Sequence, residues 1–381
     1  MSKVAILAFS GGMDSTSLLL RLLREGYQVY TIGFNYGQKH IIELTRAQMN
    51  IDYLATQGYQ VYNQTVDLSS LMSTFSGALT STESIPKGHY EENQMKATVV
   101  PNRNAIFSSI IYGYALSMSK KLNTDVIISL GVHSGDHAIY PDCRPEFYRI
   151  LNEAFALGNW DSDNVTLDLP YIDGDKTTIL LDAIESCKVL GLEFDTIFAN
   201  TNTSYEPDET GRSSGRTGSD IERILAFNAI GRKDPVEYQS NWDDVLSHAL
   251  SVEAEYMDKI YREKLTELQY QVTRNSATER AFTGIYDKHF VVGNYYCVCC
   301  NHLLFSSQHK YNSGCGWPAF HNEDADAKIA RIADTSYGMV RIEVKCSKCD
   351  AHLGHVFEDG PKEFGGERYC INSAALIFRE D

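Results

Sequence analysis

The sequence predicts an α/β fold, a doubly wound parallel sheet, followed by a small antiparallel β domain tied by cysteines. Three observations predict it. Apolar runs in the first part alternate between strand length and helix length, the pattern of β-α-β-α winding. From Ala281 onward, short runs rich in Tyr, Phe and Val are separated by Gly, Asn and Cys turns with little helical period. Within that second part lie two Cys-x-x-Cys pairs, Cys297 with Cys300 and Cys346 with Cys349.

Taken in order, residues 4–9 read as a buried strand, and Ser10-Gly-Gly-Met-Asp-Ser-Thr16 as a tight turn. Leu18, Leu19, Leu20, Leu22 and Leu23 then form an apolar helical run that ends near Gly26. Residues 28–34 are expected as a second strand, 41–56 as a helix and 59–66 as a third strand. The polar stretch 68–97 reads as a mobile loop over a site at the C-terminal edge of the sheet. Helix resumes at 104–121, strand at 125–131 and helix at 177–190, before a Gly- and Ser-rich loop at 200–219. An acidic and apolar alternation at helical spacing over 242–268 predicts a connecting helix with a solvated face. The expected domains are therefore 1–240, a helical linker over 241–264, and 265–381. The chain shows no internal repeat and no low-complexity tract.

With 381 residues and 43% hydrophobic content, the chain can bury two cores. A formal net charge of −16 excludes a sequence-independent grip on nucleic acid, which needs a basic face to displace counterions. The first apolar run is too short for a membrane span, and the Gly turn after it is not a signal-peptidase site. Of nine cysteines, seven lie beyond residue 290, which suits metal and redox chemistry in a reducing compartment. The expected location is the cytosol, with no direct nucleic-acid and no membrane partner.

A Ser-Gly-Gly-x-Asp-Ser turn between strand and helix presents consecutive backbone N–H groups and a helix N-terminus to an anion. It cradles phosphate, and it lacks the Lys of a Walker loop. The turn resembles that of the PP-loop ATP pyrophosphatases, which implies cleavage between the α and β phosphates in an adenine nucleotide hydrolase-like fold. Phe34-Asn-Tyr-Gly-Gln-Lys-His-Ile-Ile-Glu-Leu44, Val100-Pro-Asn-Arg-Asn-Ala-Ile-Phe107 and Tyr140-Pro-Asp-Cys-Arg-Pro-Glu-Phe147 narrow the match. Together they resemble the 7-cyano-7-deazaguanine synthase family over about 235 residues.

That resemblance implies ATP-dependent activation of the carboxylate of 7-carboxy-7-deazaguanine and attack by ammonia. In the family a second activation dehydrates the amide to the nitrile. ATP and Mg2+ are the implied cofactors. Ser10, Gly11, Gly12, Asp14, Ser15 and Thr16 would hold the pyrophosphate, Arg103 and Asn104 the nucleotide side, and Asp136, Tyr140, Asp142 and Arg144 the deazaguanine. A guanidinium can steady a carboxylate or a developing phosphate charge. Cys143 reads as a small buried thiol rather than a nucleophile. Lys176 is either an ATP contact or a surface lysine at a helix start. His133 and His137 lack the further ligand-type partners of a metal site.

One departure stands out. The family carries S-C-Y and a later C-G-x-C-x-x-C that bind structural zinc, and the matching residues here are Ser204, Ser214, Thr217 and Asp220. Hydroxyls are poor zinc ligands and one carboxylate cannot hold the ion alone, so this domain is expected to be zinc-free. Charge-assisted hydrogen bonds of Arg212 and Arg216 with Asp208, Glu209, Asp220 and Glu222 are the expected substitute. The remodelled loop motivates two alternatives: transfer of the deazaguanine acyl group to a protein or other amine, or a retired domain that senses nucleotide or deazaguanine and regulates its neighbour.

In the second domain, paired Cys-x-x-Cys motifs several tens of residues apart have the spacing of a tetrahedral zinc site with four thiolates. Cys299 is a bystander within the first pair. Thr278-Glu-Arg-Ala-Phe-Thr-Gly284, Ser313-Gly-Cys-Gly-Trp-Pro-Ala-Phe320, His352-Leu-Gly-His-Val-Phe357 and Arg368-Tyr-Cys-Ile-Asn-Ser373 resemble methionine-R-sulfoxide reductase B, from about residue 265 to the end. This implies reduction of methionine R-sulfoxide in proteins. By that resemblance Cys370 is the nucleophile, beside Arg368, whose charge favours a thiolate. His352 and His355 donate to the sulfoxide oxygen, Asn372 is a hydrogen-bonding position, and Trp317 cradles the methyl group. Cys315 resolves a Cys370 sulfenate to a disulfide, which a thioredoxin-like reductant reopens. Oxidised methionine in proteins, a 7-deazaguanine and ammonia or an amine are thus the expected partners, with a homodimer left open.

Overall fold

The computed structural model describes residues 3–80, 84–91, 93–135 and 139–381, and the chain divides into two compact units, Met1–Ala254 and Glu255–Asp381. Asp136 and His137, singled out above, lie outside the described residues.

The first unit is built on five strands, β1 (Val4–Ala8), β2 (Gln28–Asn35), β3 (Val61–Asp67), β4 (Val126–Ser129) and β5 (Val165–Asp168). They are all parallel, in the order β3-β2-β1-β4-β5. Its helices are α1 (Met13–Arg24), α2 (Ile42–Thr56), α3 (Ser69–Met72), α4 (Arg103–Leu122), α5 (Pro145–Gly158), α6 (Lys176–Leu190), α7 (Phe194–Ala199) and α8 (Gly218–Ala229).

Strand periodicity explains the layers. Successive β1 side chains alternate in direction, so Ala5 and Leu7 enter one core with Leu18, Leu19 and Leu22 of α1 and Ile179, Leu180 and Ala183 of α6. Val4 and Ile6 enter the other with Ile111, Tyr112 and Ala115 of α4. Both faces of the sheet are therefore covered, as an all-parallel sheet requires. The winding reverses between β1 and β4, and a crevice opens at the carboxyl ends of those two strands.

The structure differs from the sequence reading in several places, and it adds α7 in a stretch, 191–199, to which the sequence reading assigned no element. The stretch 68–97 is not simply a polar loop: Met72, Ala78, Leu79, Ile85, Tyr90 and Met95 are buried in it. Apolar residues spaced without a period hid this packing. β5 has only four residues, too few to show a strand pattern, α5 begins inside the quoted segment 140–147, and α8 begins inside the stretch read as a loop.

The helix expected over 242–268 is two. α9 (Trp242–Lys264) stops, and Thr266 caps α10 (Glu267–Asn275) with a reciprocal box to Gln269. Beyond α10 the second unit is antiparallel. Strands β6 (Gly293–Cys297), β7 (Leu303–Ser306), β8 (Lys310–Tyr311), β9 (Ala319–Phe320), β10 (Ile329–Asp334), β11 (Arg341–Cys346), β12 (His352–Phe357), β13 (Arg368–Ile371) and β14 (Leu376–Glu380) form two sheets. One runs β10-β11-β12-β13-β9-β8 and the other β14-β6-β7. Tyr295, Phe305, Phe320 and Tyr369 fill the core of this unit. No described helix is long and apolar enough to cross a membrane.

Two candidate active sites

At the β1/β4 reversal lies a cavity of about 280 Å³. The turn after β1 forms one wall with Ser10, Gly12, Asp14 and Ser15. Gly11 has φ +80, and a Cβ there would collide with the Glu43 carbonyl oxygen, so only glycine lets the turn sit against α2. Ser10 Oγ accepts from the Gly12 N–H at 3.3 Å and lies 3.2 Å from Ser15 Oγ, which shapes the loop ahead of α1. Thr16 is buried below the turn, its Oγ1 without a partner among the described residues.

Arg103, Asn104 and Tyr140 line the same cavity. Arg103 opens α4 and reaches only the Asn104 Oδ1 and Tyr36 hydroxyl oxygens, each at 3.4 Å, with the Tyr36 and Tyr140 rings 5.6 and 6.0 Å from its guanidinium carbon. No described carboxylate pairs with it. A guanidinium that makes no such ion pair keeps donors with which it can meet a ligand anion. Phe34, Tyr36, Phe107, Tyr90 and Tyr205 complete an aromatic slot.

Other predicted positions fall elsewhere. Asp142 stands behind the wall, its Oδ2 accepting from the Asn104 N–H at 3.4 Å, and Arg144 is an exposed residue at the N-cap of α5. Cys143 is buried and lines the cavity, with Asn104 Nδ2 3.3 Å from its sulfur. Lys176 is no surface lysine. It is 6% exposed, and its Nζ lies 2.9 Å from Asp14 Oδ2, 3.0 Å from His133 Nε2 and 3.4 Å from Glu222 Oε2. Burial raises the Asp14 carboxyl, but Lys176 and His133 outweigh it and leave the group below its ordinary value.

Sequence reasoning passed over His40 and Glu43, both buried in the cavity wall, although they sit in the quoted segment 34–44. Burial pushes the Glu43 carboxyl up to about 8 and the His40 imidazole down to about 3.

The positions that match the implied family zinc ligands converge. Asp220 Oδ2 accepts from Ser204 Oγ at 3.2 Å, Ser214 Oγ at 3.1 Å and the Thr217 N–H at 3.3 Å, while Thr217 Oγ1 accepts from the Asp220 N–H at 3.3 Å. These donors satisfy one another, and the set does not fit zinc. Of the expected ion pairs, the one between Arg212 and Asp208 forms, at 2.9 Å. Asp220 is instead buried at the first turn of α8 and takes short hydroxyl donors, and the exposed Arg216 turns toward His248.

Below this knot, Arg223 spends all its donor nitrogens inside the protein. Nε and Nη2 meet Asp234 at 2.6 and 2.8 Å, and Nη1 reaches Thr201 and Thr203 Oγ1 at 2.7 and 3.0 Å. That pair holds the strand of chain that puts Asn202 and Thr203 into the cavity wall.

In the second unit the sulfurs of Cys315 and Cys370 are 3.7 Å apart. β13 carries Cys370 opposite Ala319 of β9 and His355 of β12. An extra residue in β12, at the register shift beside Val344 and Lys345, brings His352 and His355 to ring centroids 5.5 Å apart although they are three residues apart in sequence. Glu343 Oε1 holds His352 Nδ1 at 2.6 Å, and Asp334 Oδ2 holds His355 Nε2 at 2.9 Å. His352 Nε2 is buried and has no described partner, and burial keeps the ring below its ordinary pKa.

Arg368 makes a two-toothed pair with Asp359 at 2.8 and 2.9 Å. The Cys370 thiol, Ser313 and Arg368 hold Cys315 down to about 5, and the same contact together with burial pushes Cys370 up.

Asn372 is committed to the backbone, donating to the Leu353 carbonyl at 3.0 Å and accepting from the Glu279 N–H at 3.0 Å. Trp317 Nε1 donates to the Glu279 carbonyl at 3.0 Å. Glu279 itself, missed as a role though its motif was quoted, is buried and accepts from Ser373 and Ala374 N–H at 2.6 and 2.9 Å.

Cys297, Cys300, Cys346 and Cys349 form the one described group able to hold a metal, all four sulfurs lying within 4.8 Å of one another. Cys297 to Cys349 and Cys300 to Cys346 are both 3.6 Å. Zinc–sulfur bonds of about 2.3 Å give a tetrahedron with edges of about 3.8 Å, so the residues fit zinc. Cys299 is not a member of the group.

Comparison with known proteins adds the following. Residues 4–231 match the family "Queuosine biosynthesis protein QueC" and residues 265–380 the "SelR domain". The "7-cyano-7-deazaguanine synthase 1" of Colwellia psychrerythraea is 39% identical over 240 residues, 63% of this chain and 100% of the relative. The "7-cyano-7-deazaguanine synthase" of Alteromonas mediterranea is 40% identical over 242 residues, again 63% and 100%. The solved structure of NMN synthetase from Francisella tularensis aligns with TM-score 0.30 at 14% identity, over 67% of this chain and 84% of that one.

Proposed function

The chain belongs to the QueC family and ends in a SelR domain, and from that premise we propose two activities joined in one polypeptide. The first unit adenylates the carboxylate of 7-carboxy-7-deazaguanine with ATP and passes the acyl group to ammonia. The second reduces methionine R-sulfoxide in proteins.

The observation that carries the first reading is one cavity that unites a phosphate-cradling turn, a guanidinium in no ion pair with a described carboxylate and an aromatic slot. A carboxylate oxygen of the substrate attacks the α-phosphorus of ATP, and the bond to the bridging oxygen breaks. The turn's N–H groups and the α1 N-terminus take the charge of departing pyrophosphate. Arg103 steadies the substrate anion in the cavity. Ammonia then adds to the acyl carbon, AMP departs with the bonding pair, and the nitrogen releases a proton to leave the amide. A second activation of the amide oxygen, with loss of two protons from nitrogen, gives the nitrile. Mg2+ would neutralise phosphate charge, and Asp14 is a carboxylate placed beside the cradle.

In the second unit a Cys370 thiolate attacks the sulfoxide sulfur while His352 or His355 delivers protons to the oxygen. The hydroxyl then moves to the Cys370 sulfur as the new sulfur–sulfur bond breaks and its pair returns to the methionine sulfur, which leaves methionine and a Cys370 sulfenic acid. The Cys315 thiolate displaces the oxygen as water and forms a disulfide, which an external dithiol such as thioredoxin reduces. The four-cysteine zinc site clips the fold and takes no part in these steps.

A second reading replaces ammonia by a larger amine. One observation favours it: another cavity of about 280 Å³ shares Tyr90, Lys176 and Glu222 with the first and has Glu91, Asp175 and Glu253 in its walls, a lining suited to a protonated amine. Mass spectrometry of a reaction with ATP, 7-carboxy-7-deazaguanine and ammonium separates these. AMP with amide or nitrile supports the first reading, and AMP without either supports the second. No AMP refutes both.

A further inference from the structure

His40 lies between β2 and α2, and no step above uses it. It lines the first cavity, is 4% exposed, and its Nδ1 has no hydrogen-bond partner among the described residues. A polar atom buried unpaired carries a desolvation cost, so its place in a cavity wall points to a ligand atom.

A chain of donors fixes the tautomer. Arg103 has only N–H donors, and its Nη1 donates to the Tyr36 hydroxyl oxygen at 3.4 Å. Tyr36 then turns its single hydrogen to His40 Nε2, also at 3.4 Å. Burial raises the Tyr36 phenol, which keeps that hydrogen, and burial with Arg103 keeps the imidazole neutral. Glu43 agrees with this arrangement. Its Oε1 accepts from Gln38 Nε2 at 2.8 Å and burial favours the neutral acid, so Oε2, 3.4 Å from His40 Nε2, calls for no hydrogen on that nitrogen. Nε2 therefore accepts, and the ring hydrogen sits on Nδ1.

We propose that the Nδ1–H of His40 is a substrate-recognition donor, bonded to an acceptor on the planar heterocycle in the aromatic slot and not to its carboxylate. The inference rests on the deazaguanine reading. The carboxylate belongs to Arg103, the guanidinium in that slot that makes no ion pair with a described carboxylate. A lactam oxygen or ring nitrogen is the acceptor chemistry a neutral N–H recognises, and the Tyr36 relay links the two subsites.

Calorimetric titration of the full chain with 7-carboxy-7-deazaguanine and with 7-deazaguanine tests it, alongside the KM for ATP. The variants are His40→Asn, whose amide reaches the Nδ1 position, His40→Gln, which reaches Nε2, and His40→Phe, which keeps only a ring. Expected are losses of about tenfold or more for both heterocycles in His40→Phe and His40→Gln, near wild-type binding in His40→Asn, and an unchanged KM for ATP. Equal affinities across the set overturn the proposal, as does a loss confined to the carboxylated ligand or an Asn variant as weak as Phe. If His40→Phe does not fold, the Asn and Gln contrast decides. A wild type that binds neither heterocycle and makes no AMP overturns the deazaguanine reading and this inference with it, whereas a working wild type with unaffected variants overturns the inference alone.

Discussion

Ser204 Oγ lies 3.2 Å from Asp220 Oδ2, and that single oxygen also takes Ser214 Oγ and the Thr217 N–H. A metal joins chain segments by accepting lone pairs from four ligands. Here a carboxylate oxygen joins the same segments by accepting hydrogens from three donors, and the polarity of the junction is reversed. The junction also starts α8, because Asp220 and Thr217 complete a capping box.

Asp220→Ala leaves two hydroxyls and one N–H without their acceptor. At about 1–3 kcal/mol for each buried group left unpaired, less what water recovers, the first unit should lose about 3 kcal/mol. Urea unfolding reads this directly, and a loss below about 1 kcal/mol would show that the loop does not depend on the junction. Replacing Ser204, Ser214, Thr217 and Asp220 together by Cys should restore a second zinc per chain by elemental analysis.

Glu43 gives a pH test. Its carboxyl rises from 4.5 to about 8, so its contribution to stability is present below pH 4.5 and disappears as pH climbs through about 8. Gln38, His40, Tyr36 and Arg103 face it, and the opposing His40 shift acts between pH 6.5 and about 3. Wild type should therefore lose melting temperature between about pH 6.5 and 8, and level off above, relative to Glu43→Gln, in which His40 is retained. Parallel curves would mean that Glu43 is ionised in the folded chain.

Much of this was legible in the sequence because local pattern and local function coincide. The run 4–16 announces strand, phosphate turn and helix, and the Cys-x-x-Cys spacing announces the thiolate cluster. His40 and Glu43 were not legible as roles, since a buried acid and a neutral ring are defined by neighbours such as Arg103, more than fifty positions away. The Asp220 junction was half legible: loss of the cysteines shows in the string, but which donors replace them depends on how 204 and 214–220 fold together. The bulge in β12 is similar, because His352 and His355 are out of phase in a regular strand and meet only where an extra residue resets the alternation.

The four-cysteine group predicts the metal content. The wild-type chain should carry one zinc, held in the second unit. Cys300→Ser should abolish it and unfold the segment joining β6 to β7, because β6 and β11 each end on a ligand and share no other fastening of that strength. Retention of zinc by this variant would point to a ligand set other than these thiols.

The Cys315 and Cys370 pair yields a prediction about which sulfur reacts first. The Cys315 and Cys370 sulfurs lie 3.7 Å apart, and the contact with Cys370, the Ser313 hydroxyl donating at 3.0 Å and the Arg368 charge lower the Cys315 thiol pKa. Iodoacetamide at pH 6 should therefore alkylate Cys315 before Cys370, read by peptide mass. Substrate turnover needs the opposite distribution, so the proton must cross to Cys315 as the sulfoxide enters. In Cys315→Ser the neighbouring thiolate is gone while Arg368 remains. Cys370 should then alkylate at lower pH than it does in wild type, and a single equivalent of methionine should form without a disulfide. If Cys370 in that variant titrates as in wild type, the contact between the two sulfurs is not what raises it, and burial alone governs the nucleophile.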